Sequence, residues 1–161
     1  MLGTLARWLR ILGYDAVFDP TLGDHQLVRL ARAENRVLLT RDRELARRRG
    51  VRLLFIDSED LDEQILQVLS DLELAPDRSF SRCPVCNQAL ECLDPVAAAA
   101  QVPAYVAQTQ KEFRHCPTCQ RVYWRGTHWQ QLEQTLARLG LSETQRFERQ
   151  MPDLERKENG G

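Results

Sequence analysis

The chain has 161 residues, of which 43% are hydrophobic and 28% charged, with a formal net charge of −1. That length suits one domain, or one small domain with an appendage, at about 100–200 residues per domain. The composition excludes a wholly disordered or collagen-like chain, and no apolar run approaches the roughly 20 residues of a membrane helix.

Taken in chain order, Leu5, Trp8, Leu9 and Leu12 mark one face of a first helix. Thr4 is its expected N-cap and Gly13 its stop. The same stretch, MLGTLARWLR, holds two Arg and no small-residue cleavage site, so it does not read as a signal peptide and the expected compartment is the cytoplasm. Tyr14–Phe18 reads as a short strand. Asp24 can cap a second helix with Leu27, Leu30 and Ala31 on one face. Val37-Leu38-Leu39, within Arg36–Thr40, is a short apolar run suited to a strand buried on both faces. Asp42–Arg49 reads as a short helix ended by Gly50, Val51–Ile56 as a second apolar strand, and Asp60–Leu72 as a helix. This alternation predicts a parallel sheet with crossover helices over residues 1–75. The pattern begins on a helix, without the strand that normally precedes it.

Residues 76–140 are different. All five cysteines and most of the prolines fall there, and 128–139 reads as a closing amphipathic helix. Residues 141–161 form a polar tail expected to be partly disordered. Cys83-Pro-Val-Cys86 and Cys116-Pro-Thr-Cys119 are paired CPxC turns, and each turn places two thiolates on one side of a tight loop. Two such turns supply a closed tetrahedral site for one structural zinc ion. A disulfide framework fits poorly with an odd cysteine count and no secretory signal. Cys92 reads as a buried small apolar residue, His115 as a bystander and His128 as an exposed residue near a helix start.

Three carboxylates stand where an α/β sheet places its ligands, beyond the carboxyl ends of its strands. Asp42 follows the first apolar strand, Asp57 follows the second, and Asp24 lies in an earlier crossover. Together they suit Mg²⁺ or Mn²⁺, which take oxygen ligands and leave positions for water and phosphate. Each also has an ordinary structural reading as a helix cap or a solvated residue before a helix. Of the 22 basic residues only Lys111 and Lys157 are Lys. Arg41, Arg43, Arg47, Arg48, Arg49 and Arg52 crowd into twelve positions, a candidate patch for nucleic-acid phosphates or simply a solvated helix face.

Four segments in order, MLGTLARWLRILGYDA, RVLLTRDREL, RCPVCNQAL and the second knuckle with VYWRGTHW, resemble the mut-seven C-terminal RNase domain family over roughly residues 1–139. The resemblance implies a PIN-like nuclease fold: a parallel α/β sheet with crossover helices, followed by a small four-cysteine zinc ribbon and a C-terminal helix. It implies a metal-dependent endoribonuclease with RNA as partner and a divalent metal, Mg²⁺ or Mn²⁺, held by acidic residues. Asp42, in its TRD motif, matches a family carboxylate; Asp24 and Asp57 match less distinctively. Family members typically begin with an apolar strand ending in Asp, just before the segment matching Met1. The natural product is therefore expected to start upstream of Met1, and the chain as written to be impaired in cleavage. Two further readings stay open: a non-catalytic zinc-ribbon RNA-binding module, and an interaction protein docking through the zinc module with Trp124 and Trp129.

Overall fold

The computed structural model of the protein describes residues 2–75 and 79–141, and the side chains of all of these but 127–129. The expected tail from 142 on lies outside the described residues. The chain divides into two compact units, Met1–Glu91 with Cys116–Gln120, and Cys92–His115 with the chain from Arg121 on.

The first unit is the mixed α/β part. Helix α1 spans Gly3–Ile11 and buries Leu5 and Leu9, with Leu12 just beyond its end. It starts earlier than a Thr4 cap would allow: Leu2 is the N-cap, with no side-chain cap bond. Gly13 ends it as expected, at φ 95°, a left-handed conformation that favours glycine. Helix α2 spans Asp24–Ala33. Gly23 is its N-cap, and Gln26 Oε1 accepts the Gly23 N–H at 2.9 Å; Asp24 sits one step inside, in the acid-favouring first turn. Strands β1 (Leu38–Thr40) and β2 (Leu53–Phe55) pair in parallel, Leu38 opposite Leu53 and Thr40 opposite Phe55. Helix α3, Leu61–Asp71, is capped by Asp60, whose carboxylate accepts the Glu63 N–H. Its Ile65, Val68 and Leu69 are buried, and α3 packs on α1. Burying such a side chain fully is worth about 1.5–3 kcal/mol, so this seam supplies much of the unit's stability.

Two expected elements are corrected. Tyr14–Phe18 is not a strand. The backbone groups a ladder would use are taken by other partners: Tyr14 N–H bonds the α1 end at Leu9 O, Ala16 N–H bonds Asn87 Oδ1, and Ala16 O accepts from Arg10 Nε. The Asp42–Arg49 helix shrinks to one 3-10 turn, Leu45–Arg47. Arg48 is already extended there, and Arg32 of α2 captures the carbonyls of Arg49 and Gly50 at 2.6 and 2.8 Å. Those bonds hold the segment in a turn rather than a continuing helix.

The second unit holds a three-stranded sheet in the order β3 (Glu91–Leu93), β4 (Phe113–His115), β5 (Val122–Trp124), with β4 and β5 antiparallel. Short helices α4 (Pro95–Ala99) and α5 (Ala104–Thr109) cover it, and α6 spans Thr127–Arg138. Ala98, Val106 and Phe113 form its core, with Leu93, Val122 and Trp124 packed against them. Cys92, expected to be buried, is exposed. Side chains alternate across a strand, and Leu93 holds the inward position beside it.

Candidate metal centre and acidic cavity

Each CPxC turn repeats one local device. Asn87 N–H donates to Cys83 O, and Gln120 N–H donates to Cys116 O, both at 2.9 Å. Asn87 and Gln120, each directly after a second cysteine, both take left-handed backbone, at φ 68° and 60°. Cys83 and Cys86 face Cys116 and Cys119, and the four sulfurs lie within 4.8 Å of one another. Cys83–Cys119 and Cys86–Cys116 sulfur separations are 3.6 and 3.3 Å. A tetrahedron with Zn–S about 2.3 Å has edges of about 3.8 Å, so the cluster is close to the size zinc requires. Cys83 and Cys116 are fully buried. The Cys86 thiol is pushed up to about 12, first by desolvation and then by hydrogen bonding to the other three sulfurs, against the Gln88 backbone N–H, which lowers it. Crowded thiols resist ionising together, and a dication reverses that balance. His115 does not belong to the cluster, and the side chain of His128 lies outside the described residues.

Arg10 of α1 reaches this centre. It is buried, and its guanidinium donates to Pro84 O at 3.2 Å, Val85 O at 2.8 Å and Ala16 O at 2.7 Å. Burial lowers its pKa, while electrostatic interaction with Cys83, Cys86 and Asp15 opposes that shift. Asp15 is held below its ordinary value by hydrogen bonding to Arg36 and then to Asn87, whose contacts measure 3.0 and 2.6 Å. Burial works against this, more strongly than the Asn87 bond works for it. Arg36 also pairs with Glu34.

A cavity of about 500 Å³ opens between α1, α2, β1 and the end of α3. Its walls are largely apolar, with Leu5, Leu9, Leu27, Leu39 and Val68 among them. Four carboxylates line it: Asp15, Asp19, Asp24 and Asp42. The cavity borders the outer edge of β1. Leu38 and Thr40 bond toward β2, through Leu38 N–H to Arg52 O and Ile56 N–H to Thr40 O. Leu39 therefore turns its N–H and C=O the other way, and among the described residues no strand pairs with that edge.

Asp24 and Asp42 thus share one cavity, whereas Asp57 is not among its lining residues. Asp57 stands at the same end of the sheet, after β2, where Gln67 of α3 bonds both its backbone N–H and its carboxylate. All three are exposed. Asp42 Oδ1 accepts the N–H groups of Glu44 and Leu45 at 2.7 and 3.1 Å, leaving Oδ2 as the oxygen outside this cap. Among the described residues the four cysteines are the one ready ligand set; the three carboxylates do not gather as closely. Sequence reasoning misses Asp15 and Asp19. Asp15 lies within the Tyr14–Phe18 segment and Asp19 directly follows it, and reading that segment as a strand hides its role as a cavity wall.

The arginine cluster is divided in use. Arg41 donates to Ser58 O and Glu59, and Arg43 lies over the Phe55 ring at 6.0 Å. Arg47, Arg48, Arg49 and Arg52 are exposed.

A parallel sheet edge carrying carboxylates, joined to a four-cysteine centre suited to zinc, defines a mixed α/β protein with a built-in metal knuckle. The Mut7-C RNAse domain family matches residues 1–136, and the chain belongs to that family. No curated protein and no solved structure matches it. No helix among the described residues is long and apolar enough to cross a membrane.

Proposed function

We propose that the chain is a metal-dependent endoribonuclease with a structural zinc ribbon. Membership of an RNase domain family is the ground for the reaction class. The observation that carries the assignment to this site is that Asp24 and Asp42, from separate crossovers, line one cavity beside the end of β1. Their oxygens are the hard donors that Mg²⁺ or Mn²⁺ takes, with Asp57 at the neighbouring strand end as a third. Such an ion, when bound, supplies activation of water and charge stabilisation of a leaving oxygen. The protein's own part is to fix Asp42 through the Glu44 and Leu45 N–H groups and to leave Oδ2 for that work. Arg47 and Arg48, exposed beyond the same turn, would attract RNA phosphates, with Arg43 and Arg41 beside them. Cys83, Cys86, Cys116 and Cys119 would hold the zinc ion.

A specific observation favours the second reading, a non-catalytic RNA-binding module. Asp42 already serves as a cap through Oδ1, and the carboxylates stand apart. One experiment separates the two: single-turnover cleavage of a generic RNA with and without Mn²⁺. Metal-dependent cleavage supports the nuclease. Binding that survives EDTA, without cleavage at any Mn²⁺ concentration, supports the module.

A further inference from the structure

We infer that the first cysteine knuckle is a clamp on the wall of the acidic cavity, with Asn87 as its positioning residue, so that metal loading at the cysteines sets the order of the Asp15–Ala16 segment. The inference rests on the cysteines holding zinc and on the cavity being the functional site.

The two knuckles provide an internal comparison. Both need a left-handed residue after the second cysteine, and both close the same backbone bond. Glycine would satisfy that requirement alone. Gln120 turns its amide back onto its own loop, at Pro117 O. Asn87 instead reaches to a segment more than 70 positions away. Its Oδ1 accepts the Ala16 N–H at 3.2 Å and its Nδ2 donates to Asp15 Oδ1 at 2.6 Å. Arg10 completes the clamp from the other side, bonding Ala16 O and the carbonyls of Pro84 and Val85. Both the N–H and the C=O of Ala16 are thereby held by side chains whose positions depend on the knuckle.

The segment so held forms part of the cavity wall, from Tyr14 to Asp19. Without strand pairing of its own, it takes the order of Ala16 from these contacts, while Arg36 on Asp15 and Leu9 O on the Tyr14 N–H hold its start independently of the knuckle. A knuckle closed on an ion fixes Cys83 and Cys86, hence the Pro84 and Val85 carbonyls and the Asn87 backbone beside them. A knuckle that has lost its ion frees all of these at once. Coupling of this kind is reciprocal: whatever orders the segment must also tighten the hold on the ion.

The test uses amide hydrogen exchange over residues 14–18 together with zinc content. Asn87→Gly keeps the left-handed backbone and removes the side chain. It should retain zinc and speed exchange over 14–18 by about tenfold, the size expected for loss of one or two hydrogen bonds. Gln120→Gly, the matched change in the other knuckle, should leave 14–18 unchanged. Asn87→Asp keeps an acceptor for the Ala16 N–H but sets a carboxylate against Asp15, and should also speed exchange. Adding Asp15→Asn to it restores a donor facing an acceptor and should recover part of the protection. Chelation of zinc from the wild type should reproduce the Asn87→Gly pattern. Equal exchange over 14–18 in wild type and Asn87→Gly, or equal speeding by Gln120→Gly, overturns the clamp. A wild type without zinc overturns the metal dependence while leaving the Asn87 contrast to decide the clamp. Because neither readout involves RNA, a failure of the nuclease reading is seen separately, in the cleavage assay.

Discussion

The two candidate metal centres of this protein are built in opposite ways. The cysteine centre comes from two tight turns, each of which fixes a pair of ligands within four residues, and folding has only to bring the turns together. The acidic centre draws single carboxylates from separate crossovers, all exposed and one of them, Asp42, already occupied by backbone N–H groups. The first is a site the turns largely make. The second exists only to the extent that the sheet, its edge and the neighbouring segments place its members. The difference teaches that a site's independence follows from how much of its geometry is local.

The largest test of that contrast is removal of one sulfur. Zinc binding by small structural sites is worth roughly 10–16 kcal/mol, far above the stability of a segment with so small a core. Cys116→Ser should therefore release zinc and unfold residues 80–127. Cys92→Ser should do neither, since Cys92 is exposed on β3 and outside the cluster. Metal analysis and circular dichroism check both. Equal zinc in wild type and Cys116→Ser would show that the cluster is not a zinc site.

The acidic centre should respond in activity rather than in folding. Asp42→Asn keeps a capping oxygen for Glu44 and Leu45 and removes the anion. In the nuclease reading it should lower cleavage at least about 100-fold, since several kcal/mol of charge stabilisation is at stake and each 1.36 kcal/mol is tenfold. The melting temperature should hardly move. Full cleavage by Asp42→Asn would leave that carboxylate as a cap alone.

The same contrast decides what the sequence reveals. The cysteine centre is legible because its spacing is its geometry. The strands Leu38–Thr40 and Leu53–Phe55, helix α3 with its Asp60 cap, and the Gly13 stop are legible for a like reason: each follows from a local pattern. Tyr14–Phe18 is misread because its residues suit a strand, while Arg10 from the end of α1 and Asn87 from a distant turn compete for its backbone. The 3-10 turn at Leu45–Arg47 is misread because the chain turns extended at Arg48, where Arg32 of α2 holds the carbonyls of Arg49 and Gly50 that follow. Cys92 is misread because its residue type favours burial, whereas its place on β3 turns it outward. In every case the missing information is a long-range partner or a register.

A smaller effect lies in pH. Asp15 is held below its ordinary value of 3.8 by Arg36 and Asn87. A depressed carboxylate contributes stability above its unfolded pKa and loses it as pH falls through the folded one. Its side chain is 41% exposed, so the contribution is screened and amounts to about 1 kcal/mol or less. Wild type should exceed Asp15→Asn in urea midpoint at about pH 6, where the carboxylate is ionised in both states. The gap should narrow as pH drops below 3.8. A gap that stays constant as the solution is acidified well past that value would mean that the ionised form of Asp15 contributes nothing.

The smallest effect belongs to the arginine cluster, and it probes whether the acidic site has a substrate-facing surface at all. Arg41 and Arg43 are engaged with Glu59, Ser58 and the Phe55 ring, so removing either disturbs the fold as well as any hold on phosphate. Arg47 and Arg48 are exposed, and changing them isolates charge. On a single strand, each phosphate that a cationic side chain ceases to neutralise lowers the slope of log affinity against log salt by about 0.7. If both residues touch phosphate, Arg47→Ala with Arg48→Ala should reduce that slope by about 1.4 and weaken binding alike for unrelated RNA sequences. The measurement is fluorescence anisotropy of a labelled single strand at several salt concentrations. Unchanged affinity with an unchanged slope would assign the cluster to a solvated surface and move the search for the RNA path to the knuckles. A slope reduced by half the expected amount would assign the path to one side of the turn, which single substitutions at Arg47 and Arg48 would then locate.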